Sequence, residues 1–264
     1  MDAITLSTLL VILLLSVFSL RQSILDLKGT ATALVIGLVL LALGGWKYVE
    51  VVLAFFLTSA LATKVKSDRK REKSVIDWKA TRSWRNVLAN GGLPTLFVVL
   101  EALAPNEIFI AGFLGSVSTA TADTLATEIG LLYPSKPRLS IDLRTKVPPG
   151  TSGAISPLGI LATVLGSMVI GMVSGVLGVS GLPYYKVFLL ATVAGTAGSL
   201  VDSLVGATLQ SVYRCEDCGR MTEETEHCGD EPVKLKGYRS INNDTVNVIA
   251  STFGSITAIV LFFL

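Results

Sequence analysis

Glu107-Ile-Phe-Ile-Ala-Gly-Phe-Leu-Gly-Ser-Val-Ser-Thr-Ala-Thr-Ala-Asp-Thr-Leu-Ala-Thr-Glu-Ile-Gly-Leu131 decides how the chain is read. The stretch is long enough to cross a bilayer, which takes about 20 mainly apolar residues. Yet it carries Asp123 and Glu128 in its second half. An acid at the centre of a span costs about 2.5–3.5 kcal/mol on insertion scales, so such residues face a cavity or a partner rather than acyl chains. Gly112, Gly115, Ser116, Thr119, Asp123, Thr127 and Gly130 recur at helical spacing, and small residues in such a stripe let a second backbone approach closely.

Seven more apolar segments lie near 3–20, 29–45, 48–64, 87–104, 154–178, 184–209 and 244–264, about eight spans in all. Composition agrees. Of 264 residues 51% are hydrophobic and 16% charged, with mean hydropathy +0.64, where soluble domains carry about 25% charged residues. The expected fold is an all-α polytopic transmembrane helix bundle. It forms a single membrane domain over 1–264, with N-terminal helices in 1–65 and the remaining helices and loops in 66–264. The first segment has no basic stretch ahead of it and no clear cleavage site, so it is expected to stay as a helix.

The cations are strongly one-sided. Nine Lys and Arg fall between the third and fourth spans, in the loop at 65–86 and its borders. The loop at 132–153 adds Lys136, Arg138, Arg144 and Lys146, the loop at 210–243 adds five more, and Arg21 and Lys28 flank the first turn. Twenty of the 22 cations thus share one side, which the positive-inside rule makes cytoplasmic. All three long loops face that side. Membrane anchoring accounts for most of this charge, and no nucleic-acid partner is expected. The sequence is silent on oligomeric state.

Asp202 lies in the seventh span as Asp123 does in the fifth. Ser118–Ala126 weakly echoes Ala197–Val205, aligning the two acids at an offset of 79 residues. Both stand about eight residues, roughly 12 Å, from the inner end of their spans. Gly195, Gly198, Ser199 and Gly206 give the second helix its own small-residue stripe, so the two carboxylates are expected to meet. Two close carboxylates in a low dielectric repel unless a proton or a cation sits between them, and hard oxygen ligands suit Mg2+. Packing contacts to Ser, Thr or backbone are the plainer alternative. Glu128, nearer the edge, is expected to join the catalytic group or simply to reach water.

Three polar strings border the same membrane edge. Lys146-Val-Pro-Pro-Gly-Thr-Ser-Gly-Ala-Ile-Ser156 places Gly150, Thr151, Ser152 and Gly153 just before a helix N-terminus, an arrangement that binds phosphate, though a Pro/Gly turn capping a helix would look alike. Asn242-Asn-Asp-Thr-Val-Asn247 opens the last span, where Asn243 can cap the helix, and Asn243, Asp244 and Asn247 can also serve a nucleotide or metal. Arg82, Asn86 and Asn90 lie on one face of the fourth helix, and Arg82 can clamp a phosphate. In the last long loop, Cys215-x-x-Cys218 is followed by His227-Cys228. Four soft ligands suit tetrahedral, structural Zn2+, and the odd cysteine count argues against a closed disulfide framework.

These strings together resemble the integral-membrane family of plant phytyl-phosphate kinase and eukaryotic transmembrane protein nineteen. The resemblance runs in order through most of 70–264. It implies kinship with CTP-dependent polyprenol kinases and CDP-lipid synthases. It also implies transfer of a phosphoryl group from CTP, or another nucleoside triphosphate, to an isoprenoid monophosphate of phytyl or geranylgeranyl type. In that chemistry Asp123, Asp202 and Asp244 would hold Mg2+. Arg82, Asn86, Asn90, Lys146, the 150–153 loop, Asn243 and Asn247 would bind nucleotide or phosphate. Asn86 departs from the Gln expected in the family's Arg-x-x-x-Gln string. A CDP-lipid-forming cytidylyltransferase would use the same residues. A secondary transporter would need polar access from the outer face, where the chain offers almost none.

Overall fold

The computed structural model describes residues 2–264. Among them are nine helices: α1 (Ala3–Arg21), α2 (Leu27–Leu43), α3 (Trp46–Lys64), α4 (Ser67–Lys73), α5 (Trp84–Leu103), α6 (Glu107–Gly130), α7 (Pro157–Leu177), α8 (Tyr184–Thr208) and α9 (Asn243–Phe262). Seven are long and apolar enough to cross a membrane, and α2, at 17 residues, is a shorter apolar helix. The protein is an integral, multi-pass membrane protein. Leu6, Leu10, Leu13, Leu14 and Val17 stand exposed along α1, as suits a helix face turned to lipid.

Each expected span is one of these helices. The sixth starts three residues later than expected, because Ala154–Ile155 is a strand and Ser156 caps α7, its Oγ accepting from Gly159 N at 3.1 Å. The last helix is capped by Asn242 rather than Asn243: Asn242 Oδ1 accepts from Thr245 N at 3.0 Å. Two small antiparallel sheets add to the helices. One holds β1 (Arg138–Leu139), β2 (Asp142–Lys146) and β3 (Ala154–Ile155) in the order β2-β1-β3, the other β4 (Val212–Arg214), β5 (Met221–Thr222) and β6 (Val233–Lys236) in the order β5-β4-β6.

α6 is the hub, packed against α3, α5, α7, α8 and α9. Every residue from Ile110 to Ala122 is buried, so this helix is enclosed all round, as a helix apolar on every face must be. Its small residues set the spacing. Ser118 Oγ donates to the Ala191 carbonyl of α8 at 2.7 Å, and Ser255 Oγ of α9 donates to the Gly112 carbonyl at 3.0 Å. A Cβ on Gly115 would overlap the Gly254 carbonyl oxygen, and one on Gly195 would overlap Ser118 Oγ. Gly115→Val is therefore expected to destabilise the bundle by about 1–3 kcal/mol. A lowered thermal transition in detergent measures it, and an unchanged transition would mean that α6 and α9 can separate freely.

The loops gather at one end of the bundle. Leu25 and Arg82 form a bridge, as do Ile76 and Met221, and Val75 N donates to Pro149 O at 2.9 Å. The opposite end has short turns, joined by Lys47 Nζ to Gly178 O at 3.0 Å and Gly181 N to Glu107 Oε1 at 3.2 Å.

Candidate functional site

α6 and α8 run parallel and touch where Gly198 meets Thr119. One turn further along each helix stand Asp123 and Asp202, whose carboxyl groups abut. Asp202 Oδ2 is buried and has no hydrogen-bond partner among the described residues. An unpartnered buried carboxylate oxygen beside a second carboxylate is costly and is resolved by a proton or a cation. Two carboxylates at the wall of one cavity offer hard oxygen donors, which fit a divalent ion such as Mg2+.

That cavity, about 150 Å3, is lined by both Asp residues and by the backbone-rich run Pro149–Ser156. Gly150 (φ +83°) and Gly153 (φ +79°) take backbone conformations that favour glycine. A Cβ on Gly153 would overlap Ala207 of α8, so the loop lies directly against the helix that carries Asp202. The N-terminal turn of α7, through Ser156 and Gly159, forms another wall and brings the positive end of the helix dipole to the space, with the Gly159 N–H taken by the Ser156 Oγ cap.

Two wall residues escape a reading of the sequence. Glu223, just after β5, lines the cavity and accepts from Ser152 Oγ at 2.8 Å. Burial pushes its carboxyl up, against the lowering pull of the Ser152 hydrogen bond. Gln210 lines the cavity too, and its Nε2 has no partner among the described residues. Nothing local marks either one. Glu223 sits in the acidic run Glu223-Glu224-Thr-Glu226, where its neighbours are exposed.

Other expected members lie elsewhere. Lys146 is exposed on β2 and does not line this cavity. Of the α9 cluster only Asn243 does; Asp244 instead reaches Asn86, and Asn247 is buried. Arg82, Asn86 and Asn90 line a second, larger cavity between α1, α2, α3 and α5, where Asn90 Nδ2 donates to Asn86 O at 3.0 Å.

Glu128 does not reach water. It is fully buried, its Oε2 2.6 Å from Lys70 Nζ and its Oε1 2.7 Å from Arg82 Nη2 and 3.1 Å from Thr63 Oγ1. The reason is helical phase: five residues at 100° each put it about 140° round α6 from Asp123. Lys70, which the sequence presents as one more anchoring cation, is fully buried. It also donates to the Ala62 and Thr63 carbonyls at 2.6 and 2.7 Å, so all three of its protons are used. α4 is thereby pinned to the end of α3.

Cys215, Cys218, His227 and Cys228 converge, their ligand atoms all within 4.8 Å of one another. A tetrahedral Zn–S bond of about 2.3 Å implies ligand separations of about 3.8 Å, so the cluster can hold a metal ion. His227 Nδ1 faces the sulfurs, 3.3 Å from Cys228 and 3.6 Å from Cys218. Its Nε2 lies 3.6 Å from Asp77 Oδ2, the placement of a carboxylate that orients a ligating histidine. The same lobe anchors on α8, whose Gly206 and Ala207 carbonyls accept from Lys236 Nζ at 3.0 and 3.2 Å.

The chain resembles several known proteins in sequence. The sequence profile of a family described as "Integral membrane protein DUF92" matches residues 10–255, so the likeness extends into the N-terminal helices. An uncharacterized membrane protein of Methanocaldococcus jannaschii is 33% identical, covering 97% of this chain and 93% of its own length. Protein PGR of Arabidopsis thaliana is 28% identical over 92% of each chain. Protein VTE6, chloroplastic, also of Arabidopsis thaliana, is 29% identical over 90% of this chain and 65% of its own. No solved structure matches the chain.

Proposed function

The chain belongs to the DUF92 integral membrane family, and from that premise we propose that it is a membrane lipid-phosphate kinase. It transfers the terminal phosphoryl group of CTP, or of another nucleoside triphosphate, to an oxygen of an isoprenoid monophosphate of phytyl or geranylgeranyl type. The products are the isoprenoid diphosphate and the nucleoside diphosphate. Kinship with VTE6 and the motif resemblance to phytyl-phosphate kinase support the lipid substrate.

The observation that carries the reading is one cavity that unites the Asp123–Asp202 pair, the Pro149–Ser156 loop and the α7 N-terminus. Phosphoryl transfer needs positioning and charge neutralisation more than covalent help, and these parts supply both. The loop N–H groups and Gln210 hold phosphate oxygens. Asp123 and Asp202 would hold a Mg2+ ion, whose charge offsets that of the triphosphate. Glu223 braces the loop through Ser152. The acceptor is already anionic and requires little general-base help. The active face is the cation-rich loop end, which the charge asymmetry makes cytoplasmic.

The test is incubation of purified protein with CTP, ATP or GTP labelled in the terminal phosphate, together with geranylgeranyl or phytyl monophosphate. Label in a lipid diphosphate is expected. A CDP-lipid with released pyrophosphate would replace the kinase reading with a cytidylyltransferase.

The Cys/His cluster is proposed to carry structural Zn2+, since four protein ligands leave no open position. Purified protein is expected to hold about one zinc per chain and to lose it in Cys218→Ser, with a lowered thermal transition. Metal-free protein with an undiminished transition would dismiss this assignment.

A further inference from the structure

The larger cavity is built differently from the first. It holds about 510 Å3, within the 300–1,000 Å3 range of ligand pockets. Its walls come from α1, α2, α3 and α5, and its body is apolar, with Ile12, Ile36, Leu40 and Phe55 among the lining. Along α3 the lining runs from Val49 to Lys64, about 22 Å at helical rise. The cavity is therefore long and narrow, a shape that takes one extended chain.

Its polarity is confined to one end. Lys64, Arg82, Asn86 and Gln22 cluster there, at the loop end of the bundle, and the lining residues between Val49 and Ser59 on α3 carry no charge. Among the described residues the Arg82 guanidinium uses a single N–H, on Glu128, and the side chain is about one-third exposed. Its other donors can meet a phosphate, for which a guanidinium fork is well matched. The mouth also includes Thr124, the residue after Asp123 on α6. A ligand whose head sits at this mouth thus lies beside the helix that carries the paired carboxylates.

We propose that this cavity is the acceptor site, and that it holds the hydrocarbon tail of an isoprenoid monophosphate with the phosphate at Arg82 and Lys64. The assignment rests on the kinase reading above and adds to it the place of the lipid: α6 separates acceptor from nucleotide, and the two meet at its inner end. It also gives Asn86 and Asn90, absent from the nucleotide cavity, a place at the acceptor's head.

The experiment uses the full chain in detergent, with geranylgeranyl monophosphate, a five-carbon prenyl monophosphate and a geranylgeranyl monophosphate carrying a photoreactive group near the tail end. Tail label is expected on peptides of α1, α2, α3 and α5. Ala33→Phe and Ser59→Phe, which fill the body of the cavity, are expected to weaken binding of the 20-carbon ligand at least tenfold and to leave the five-carbon ligand unaffected. Undiminished 20-carbon binding in both variants, tail label confined to lipid-facing residues elsewhere, or ready displacement by diacyl phosphatidic acid would each overturn the assignment. The labelling needs no variant, so misfolding of either one does not blunt the test. If the 20-carbon ligand labels the cavity but no nucleotide yields a diphosphate, the kinase reading fails and the cavity assignment stands. If transfer occurs and the filled variants turn over the 20-carbon ligand normally, the reverse holds.

Discussion

Asp202→Asn is expected to lower phosphoryl transfer at least about a hundredfold, the scale on which loss of one transition-state electrostatic partner is felt, and to leave the fold intact. The two halves of this expectation have separate causes. Asp123 and Asp202 abut, and Asp202 Oδ2 has no partner among the described residues. In the absence of a cation this pair repels unless it shares a proton, and an Asn amide can stand in for the protonated carboxyl, so the change costs little stability. With nucleotide present, the same change removes one of two oxygens positioned to hold its cation. Asp123→Asn is expected to behave alike. The measurement is turnover of the labelled nucleotide beside a thermal transition in detergent without nucleotide. A carboxylate that served only packing would lose stability and activity together. Near-normal turnover in both variants would remove the metal proposal.

Lys70→Met is expected to destabilise the protein by about 3–5 kcal/mol, the cost of breaking a buried ion pair from one side. Lys70 and Glu128 are both fully buried, 2.6 Å apart. Removing the ammonium leaves Glu128 with Arg82 as its remaining ionic partner and strips the Ala62 and Thr63 carbonyls of a donor. The double variant Lys70→Met/Glu128→Gln is expected to recover a good part of the loss, because the uncompensated charge goes with it. Unfolding in denaturant, followed with all three proteins, gives the coupling. A single variant as stable as the parent would show that α4 is held by something other than this pair.

The stripes on α6 and α8 show how far local patterns carry. Small residues at helical spacing implied close approach, and Thr119 of the α6 stripe meets Gly198 of the α8 stripe, while Gly195 meets Ser118, which lies outside the stripe as read. The echo that aligned Asp123 with Asp202 put them at one level of two parallel helices. The Cys/His spacing likewise foretold a converged cluster. Glu128 shows the limit. Its position near the inner end of a span was legible, but which neighbours lay 140° round the helix from Asp123 was not.

What the sequence determined by itself was everything the bilayer imposes: the apolar lengths of the spans, the one-sided cations and the acids that must avoid acyl chains. Lipid acts on each segment separately, so a segment's own composition answers for it. Only the tertiary structure decided that the polar residues divide between two cavities, that Lys70 turns inward, and that Glu223 and Gln210 join the carboxylate pair. Those outcomes depend on helix phase and on loops folding back across 50 or more residues, from Lys70 to Glu128 or from Ser152 to Glu223. Such contacts are set by which surfaces are left to bury once the spans have packed, and no local periodicity encodes them.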